Sequence, residues 1–166
     1  MGARTPGARG DLVRSRRAAR RLALMALFEA EFGQRTAPTI LERHLGETEG
    51  DAETARYARH LVAAAVANRD RIDARIAAAA PQYPVVTLAR MDRVLLRAGI
   101  CEVLHSPATP ARVAIAEWVE LARVYGGDPA RRLVNGVLGR VARDASDAMP
   151  EPAPATEPDA IPDAHA

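Results

Sequence analysis

Apolar positions along the chain recur at intervals of three and four residues, the period of an α-helix, and nowhere alternate in the manner of a strand. From Ser15 to Phe32 the chain is basic for two turns and then unbroken apolar from Leu22 to Phe28, so this helix should pack on more than one side. Gly33 stops it. Thr39 and Glu42 have the spacing of a capping box and predict a short helix ending at Gly46. Asp51 is placed to cap a long helix running to about Ala80, closed by Pro81 and Pro84. Tyr57, Leu61, Ala64, Ala65, Asn68, Ile72 and Ile76 hold the helical period along it. Between about Asp92 and His105, one stripe of Val94, Leu95, Ala98 and Cys101 and a second of Leu96, Ile100 and Val103 predict a central helix. Thr109–Pro110 and Asp128–Pro129 each read as an N-cap followed by proline at the first helical position. The helices they open carry Ile115, Trp118, Val119, Ala122 and Tyr125, then Leu133, Val134, Val137, Leu138 and Val141, with Gly126 and Gly127 between them. Gly136 and Gly139, inside the last pattern, predict close helix packing. The pattern is all-α, with about six or seven helices.

The 166 residues fit one domain, and 48% apolar content is enough for a core. With aromatics at only 4%, that core must be built from Ala, Leu, Val and Ile. A single cysteine, Cys101, excludes a disulfide framework and a cysteine-based zinc site, and its place on an apolar stripe reads as a buried thiol rather than a nucleophile. No apolar run approaches the ~20 residues that cross a bilayer. The short stretch after the first arginines lacks a small-residue cleavage site, so a cytoplasmic protein without membrane contact is expected. Five of the twelve prolines lie in the last 17 residues among acids and alanines. The expected organisation is a flexible basic arm over 1–13, a helical domain over 14–144, and a disordered acidic Pro/Ala-rich tail over 145–166.

Charge sharpens this picture. All 23 basic residues are arginine, and the net charge of +2 hides a strong division. Residues 1–21 hold seven arginines and one acid, whereas residues 144–166 hold six acids and no arginine. Arg14, Arg17 and Arg21 fall at i, i+3 and i+7 on one helix face, and Arg16 and Arg20 at i, i+4 on another. Guanidinium groups fork onto phosphates and stack on unpaired bases, which suits single-stranded RNA. A merely solubilising terminus is the competing reading, and charge alone leaves both open. The acidic tail is suited to fold back and compete with RNA for this patch.

Catalytic chemistry does not assemble from the remaining residues. His44, His60, His105 and His165 have no partner at the spacing of helical metal sites, and each reads as solvated. No nucleophile elbow surrounds Ser15, Ser106 or Ser146, and no phosphate-binding glycine loop is present. Asp70 and Asp73 interleave with Arg69, Arg71 and Arg75, as on an exposed salt-bridged face. A protein without catalytic residues, metal or cofactor is therefore expected.

Two blocks of sequence then carry a resemblance. Arg16–Arg17–Ala18–Ala19–Arg20 running into Ala23–Leu24–Met25–Ala26–Leu27–Phe28 is one. The sharper is Val113–Ala114–Ile115–Ala116–Glu117–Trp118–Val119–Glu120–Leu121–Ala122–Arg123, then Tyr125–Gly126, then Leu133–Val134–Asn135–Gly136–Val137–Leu138. Together with Arg93 to Glu102, this order and spacing over about 14–144 resembles the bacterial NusB family of transcription antitermination factors. Ala116, Leu133, Ala130 and Gly139 depart from the residues usual there. The resemblance implies a NusB-like fold of two three-helix bundles packed across each other, and a non-enzymatic role. It implies binding of single-stranded boxA RNA of ribosomal RNA leader transcripts together with ribosomal protein NusE, also called S-ten. The setting would be a transcription elongation complex with other Nus factors, promoting read-through by RNA polymerase. By position, Arg16, Arg17, Arg20 and Arg132 are the implied RNA-binding residues, to which the arginine face adds Arg14, and Phe28 and Asp92 are the implied contacts to NusE. Core packing for Phe28 and a helix-start acid for Asp92 are the competing readings. An accessory role in ribosomal RNA modification is the alternative function, and monomer and homodimer both remain open.

Overall fold

The computed structural model describes residues 6–148; of the tail expected to be disordered over 145–166, residues 145–147 end the last helix and residues from 149 onward lie outside the described residues. The described residues form six helices and one 3-10 turn: α1 Pro6–Ala30, α2 Ala37–Glu47, α3 Ala52–Ala67, α4 Arg69–Ala79, the turn Val85–Thr87, α5 Arg90–His105 and α6 Ala111–Asp147. No strand occurs among the described residues. The first three helices pack on one another, and so do the last three. α5 also meets α1 and α3, and this contact joins the two bundles. Leu24, Ile40, Leu41 and Leu61 fill the first bundle, and Leu95, Ile100, Trp118 and Leu138 the second.

Several boundaries differ from expectation, each for a local reason. α1 begins at Pro6, so residues 6–13 are helical rather than a flexible arm. A proline at the first helical position lacks only an N–H that would have no partner there, and Asp11 pairs with Arg14 one turn on. α2 begins at Ala37, capped by Thr36 rather than Thr39; the Thr36 hydroxyl accepts from the Thr39 N–H. The long helix expected from Asp51 to Ala80 is two. Asp51 does cap it, accepting from the Thr54 N–H at 2.7 Å. At Asn68, however, φ is −111°, and the Ala64 carbonyl accepts both the Asn68 backbone N–H at 3.1 Å and its side-chain Nδ2 at 2.8 Å, so the side chain caps the end of α3.

α6 holds both expected C-terminal helices, interrupted at Gly127, where φ is 73° and ψ −165°. This is backbone that an L side chain avoids. A Cβ on neighbouring Gly126 would lie 2.5 Å from the Cβ of Ala130, so Gly126 supplies clearance and Gly127 conformation. With its two arms (111–126 and 128–147) counted separately, the described residues form seven helices. Gly99 is where α5 and α6 cross most closely: a Cβ there would stand 2.8 Å from Leu138 Cδ1 and 3.3 Å from Trp118 Cγ. Gly136, expected to serve close packing, has nothing within 4 Å of a built Cβ, and Gly139 meets only the end of the Arg143 side chain. The close approach in this bundle comes from α5 rather than from the two glycines in α6.

Candidate nucleic-acid interface

The arginines of α1 divide into an outer and an inner face, as their spacing requires. Arg14, Arg17 and Arg21 are exposed. Arg20 points inward and is only 3% exposed. Its Nε donates to Glu102 Oε2 at 2.8 Å and its Nη2 to Oε1 at 2.6 Å. Glu102, wholly buried on α5, also accepts from the Tyr57 hydroxyl at 2.5 Å and from Trp118 Nε1 at 2.6 Å. Burial opposes ionisation of Glu102, but the Arg20 guanidinium and the two further donors outweigh it and hold the carboxyl below its ordinary range. The Tyr57 proton goes to Glu102, so Tyr57 accepts from the Thr109 hydroxyl at 2.8 Å. Thr109 therefore does not cap α6; Pro110 holds that position without a side-chain hydrogen bond.

Arg16 belongs to this inner group. Its guanidinium carbon lies 4.8 Å from the Tyr57 ring centroid, its Nη1 donates to Thr109 at 3.4 Å, and its Nε faces Glu53 at 3.7 Å. Arg16 and Arg20, both expected as RNA-binding residues, are thus spent on holding α1 to α3 and α5. For Arg20 the Nε and Nη2 groups are committed to Glu102, whereas Nη1, 3.7 Å from Glu117 Oε2, faces the groove beside α1. Signals for this were present in the sequence. A carboxylate between Cys101 and Val103 on a helix with two apolar stripes has to find a cation, and Arg20 lies on a face distinct from the exposed stripe.

The outer face is bordered by α6. Arg17 Nε lies 3.1 Å from both oxygens of Glu117, and the hydrogen bond between them raises the already high pKa of the guanidinium. Arg21 has no ion-pair partner among the described residues. A groove runs between this face and the first arm of α6, lined by Arg17, Arg20, Arg21, Glu117, Glu120, Leu121 and Tyr125. On the far side of Arg21 a second groove begins, bounded by Arg14, Leu22, Met25 and Asp51, and Tyr125 borders it too. Arg21 entered from sequence only as part of the arginine face, and Tyr125 was read only as part of a core stripe.

Arg132 is exposed on the second arm of α6 and lines a separate groove with Asp92, Gly136, Arg140, Arg143 and Tyr83. Asp92 is half-buried there, and burial pushes its carboxyl above the usual range. Phe28 is half-buried near the end of α1. It meets Phe32 edge to face at 5.4 Å, and Phe32 in turn lies under the Arg90 guanidinium at 4.8 Å. Phe28 both packs on the core and contributes to a partly open surface where α1 meets the start of α5.

Other readings change with the tertiary structure. Asp73 does not pair along its own helix; it takes Arg97 of α5 at 2.7 Å, and Arg97 and Arg93 share Glu31 of the turn after α1. His60 is half-buried rather than solvated, 2.8 Å from the Ser106 hydroxyl. Cys101 is buried as expected, and burial with the adjacent Glu102 charge pushes its thiol up to about 12. No helix among the described residues is long and apolar enough to cross a membrane.

Comparison with known proteins bears on this arrangement. The sequence profile of the NusB family matches residues 17–143. The transcription antitermination protein NusB of Dehalococcoides mccartyi is 39% identical over 133 residues, spanning 80% of this chain and 93% of that protein. Among solved structures, NusB of T. maritima superposes with a TM-score of 0.73 at 32% identity, covering 78% of this chain and 91% of that one. A structure of the antitermination factors NusB and NusE in complex with double-stranded RNA matches with a TM-score of 0.69 at 26% identity, covering 79% and 98%.

Proposed function

The chain belongs to the NusB family of transcription antitermination proteins, and we propose that it does this work by holding RNA on the outer face of α1, in the cytoplasm and without catalysis. The observation that carries the reading is the exposed row Arg14, Arg17 and Arg21, set beside two grooves and backed by a buried clamp that fixes the helix. Phosphate contacts from such a row position a strand, and base contacts select it. Arg132, in its own groove on α6, supplies a second basic contact. The surface around Phe28, Phe32 and Arg90, with Asp92 nearby on α5, is the proposed seat of NusE, the protein that accompanies RNA in the solved neighbour. The substrate is boxA RNA of a ribosomal leader transcript, read as a single strand within an elongation complex that holds other Nus factors.

Fluorescence anisotropy of a short boxA RNA, titrated with and without NusE against a scrambled RNA, tests this reading. Tighter binding to boxA that NusE enhances is the expected result. Equal binding to both RNAs, indifferent to NusE, would overturn it.

A further inference from the structure

Tyr125 is an aromatic side chain that the core does not use. Along its helix Trp118 and Ala122 are fully buried, yet Tyr125 is 38% exposed and its hydroxyl has no hydrogen-bond partner among the described residues. It closes the row Glu117, Leu121, Tyr125, spaced four residues apart on the α6 face that lines the groove opposite Arg17 and Arg21. It is also the last residue before the Gly126–Gly127 break, so its ring stands at the end of a helical arm. The ring borders the grooves on both sides of Arg21.

We infer that Tyr125 is a stacking platform for one unpaired base of the bound RNA, with its groove dividing the nucleotide between two walls. This rests on the proposed function and names a residue that selects single strands within it. The α1 wall is cationic, through Arg17 and Arg21, and takes the flanking phosphates. The α6 wall is anionic, through Glu117 and Glu120, and repels phosphate but accepts hydrogen bonds from a base edge. Between them lies an apolar floor of Leu121 and the Tyr125 ring. An aromatic face suits any base, whereas a carboxylate acceptor favours one bearing an exocyclic amine, as cytosine, adenine and guanine do and uracil does not. Glu117 holds Arg17 in the free protein and is released to the base edge when Arg17 turns to phosphate. Duplex RNA offers no splayed base and cannot use the platform.

The test compares wild type with Tyr125→Phe and Tyr125→Leu, each first verified as folded by circular dichroism and thermal unfolding. Anisotropy titrations use a single-stranded boxA RNA, the same RNA carrying one abasic site at each position in turn, and its duplex. Tyr125→Leu should weaken single-strand binding about 5- to 100-fold without changing its salt slope, and Tyr125→Phe should stay within about twofold of wild type. At one abasic position the loss from Tyr125→Leu should vanish, and duplex binding should be indifferent to both variants. A Tyr125→Leu protein that binds the single strand as wild type does, while alanine at Arg14, Arg17 and Arg21 weakens it, overturns the platform and leaves the RNA reading standing. Equal weakening for strand and duplex also overturns it. Failure of wild type to bind RNA at all removes both.

Discussion

Arg20 of α1 and Glu102 of α5 form a bidentate ion pair inside the protein, with Tyr57 and Trp118 supplying two more donors to the same carboxylate. Arg20 and Tyr57 come from the first bundle, Glu102 and Trp118 from the second. Removing one partner leaves an unpaired buried charge, so Arg20→Ala should cost about 3–5 kcal/mol, read as a fall in thermal or urea stability. A change in RNA affinity without loss of stability would contradict this structural role.

The same carboxylate sets a dependence on pH. Its folded-state pKa lies below the ordinary value of 4.5, so the native state binds fewer protons than the unfolded one. Its contribution to stability is therefore present above pH 4.5 and fades as pH falls through the lower folded value. Urea unfolding from pH 7 downward should show the loss, and Glu102→Gln should start less stable and lose less on acidification.

On the outer face the expectation is the reverse of that for Arg20. Replacing Arg14, Arg17 and Arg21 together with alanine should leave folding nearly intact, because exposed pairs contribute little. RNA affinity should drop, and the plot of log affinity against log salt should flatten by roughly 0.7 for each phosphate no longer neutralised. Unchanged affinity and slope would move the RNA site elsewhere.

Two glycines in the second bundle should respond oppositely. Gly99→Ala forces a methyl to 2.8 Å from Leu138 Cδ1, and overpacking of this kind costs about 1–3 kcal/mol. Gly136→Ala meets nothing within 4 Å, so the alanine should stabilise by about 0.5–1 kcal/mol through the unfolded chain. Thermal unfolding of the pair distinguishes a packed glycine from an open one.

Cys101 should resist alkylation in the native protein at neutral pH, because its thiol is buried and its pKa is pushed up to about 12. Mass spectrometry after brief iodoacetamide treatment should show modification only in urea.

Helix periodicity made most of the fold legible, because apolar residues at three- and four-residue spacing can bury only one way. Asp51, Gly33 and the Gly126–Gly127 break were visible because each acts on its own neighbours. What was hidden depended on distant partners. Arg16 and Arg20 resemble Arg14 and Arg17 as letters, and only distant partners separate them: Glu102, 82 residues beyond Arg20, and Tyr57 and Thr109 for Arg16. Thr109 looked like a cap until Tyr57 claimed its hydroxyl. Tyr125 fitted a core stripe by period, but that stripe runs out of neighbours before reaching it. The break at Asn68 was missed because asparagine keeps the apolar rhythm of its helix while its side-chain amide caps the helix end.

The positive φ of Gly127 stands between the two surfaces proposed above to meet RNA. The arm before it carries Glu117 and Tyr125, and the arm after it carries Arg132. The angle between those surfaces is thus fixed by the torsions of a single residue rather than by any contact with a ligand. A change at Gly127 would alter the distance a strand must span from one surface to the other, and so the spacing of the bases it can read, with every binding residue still in place.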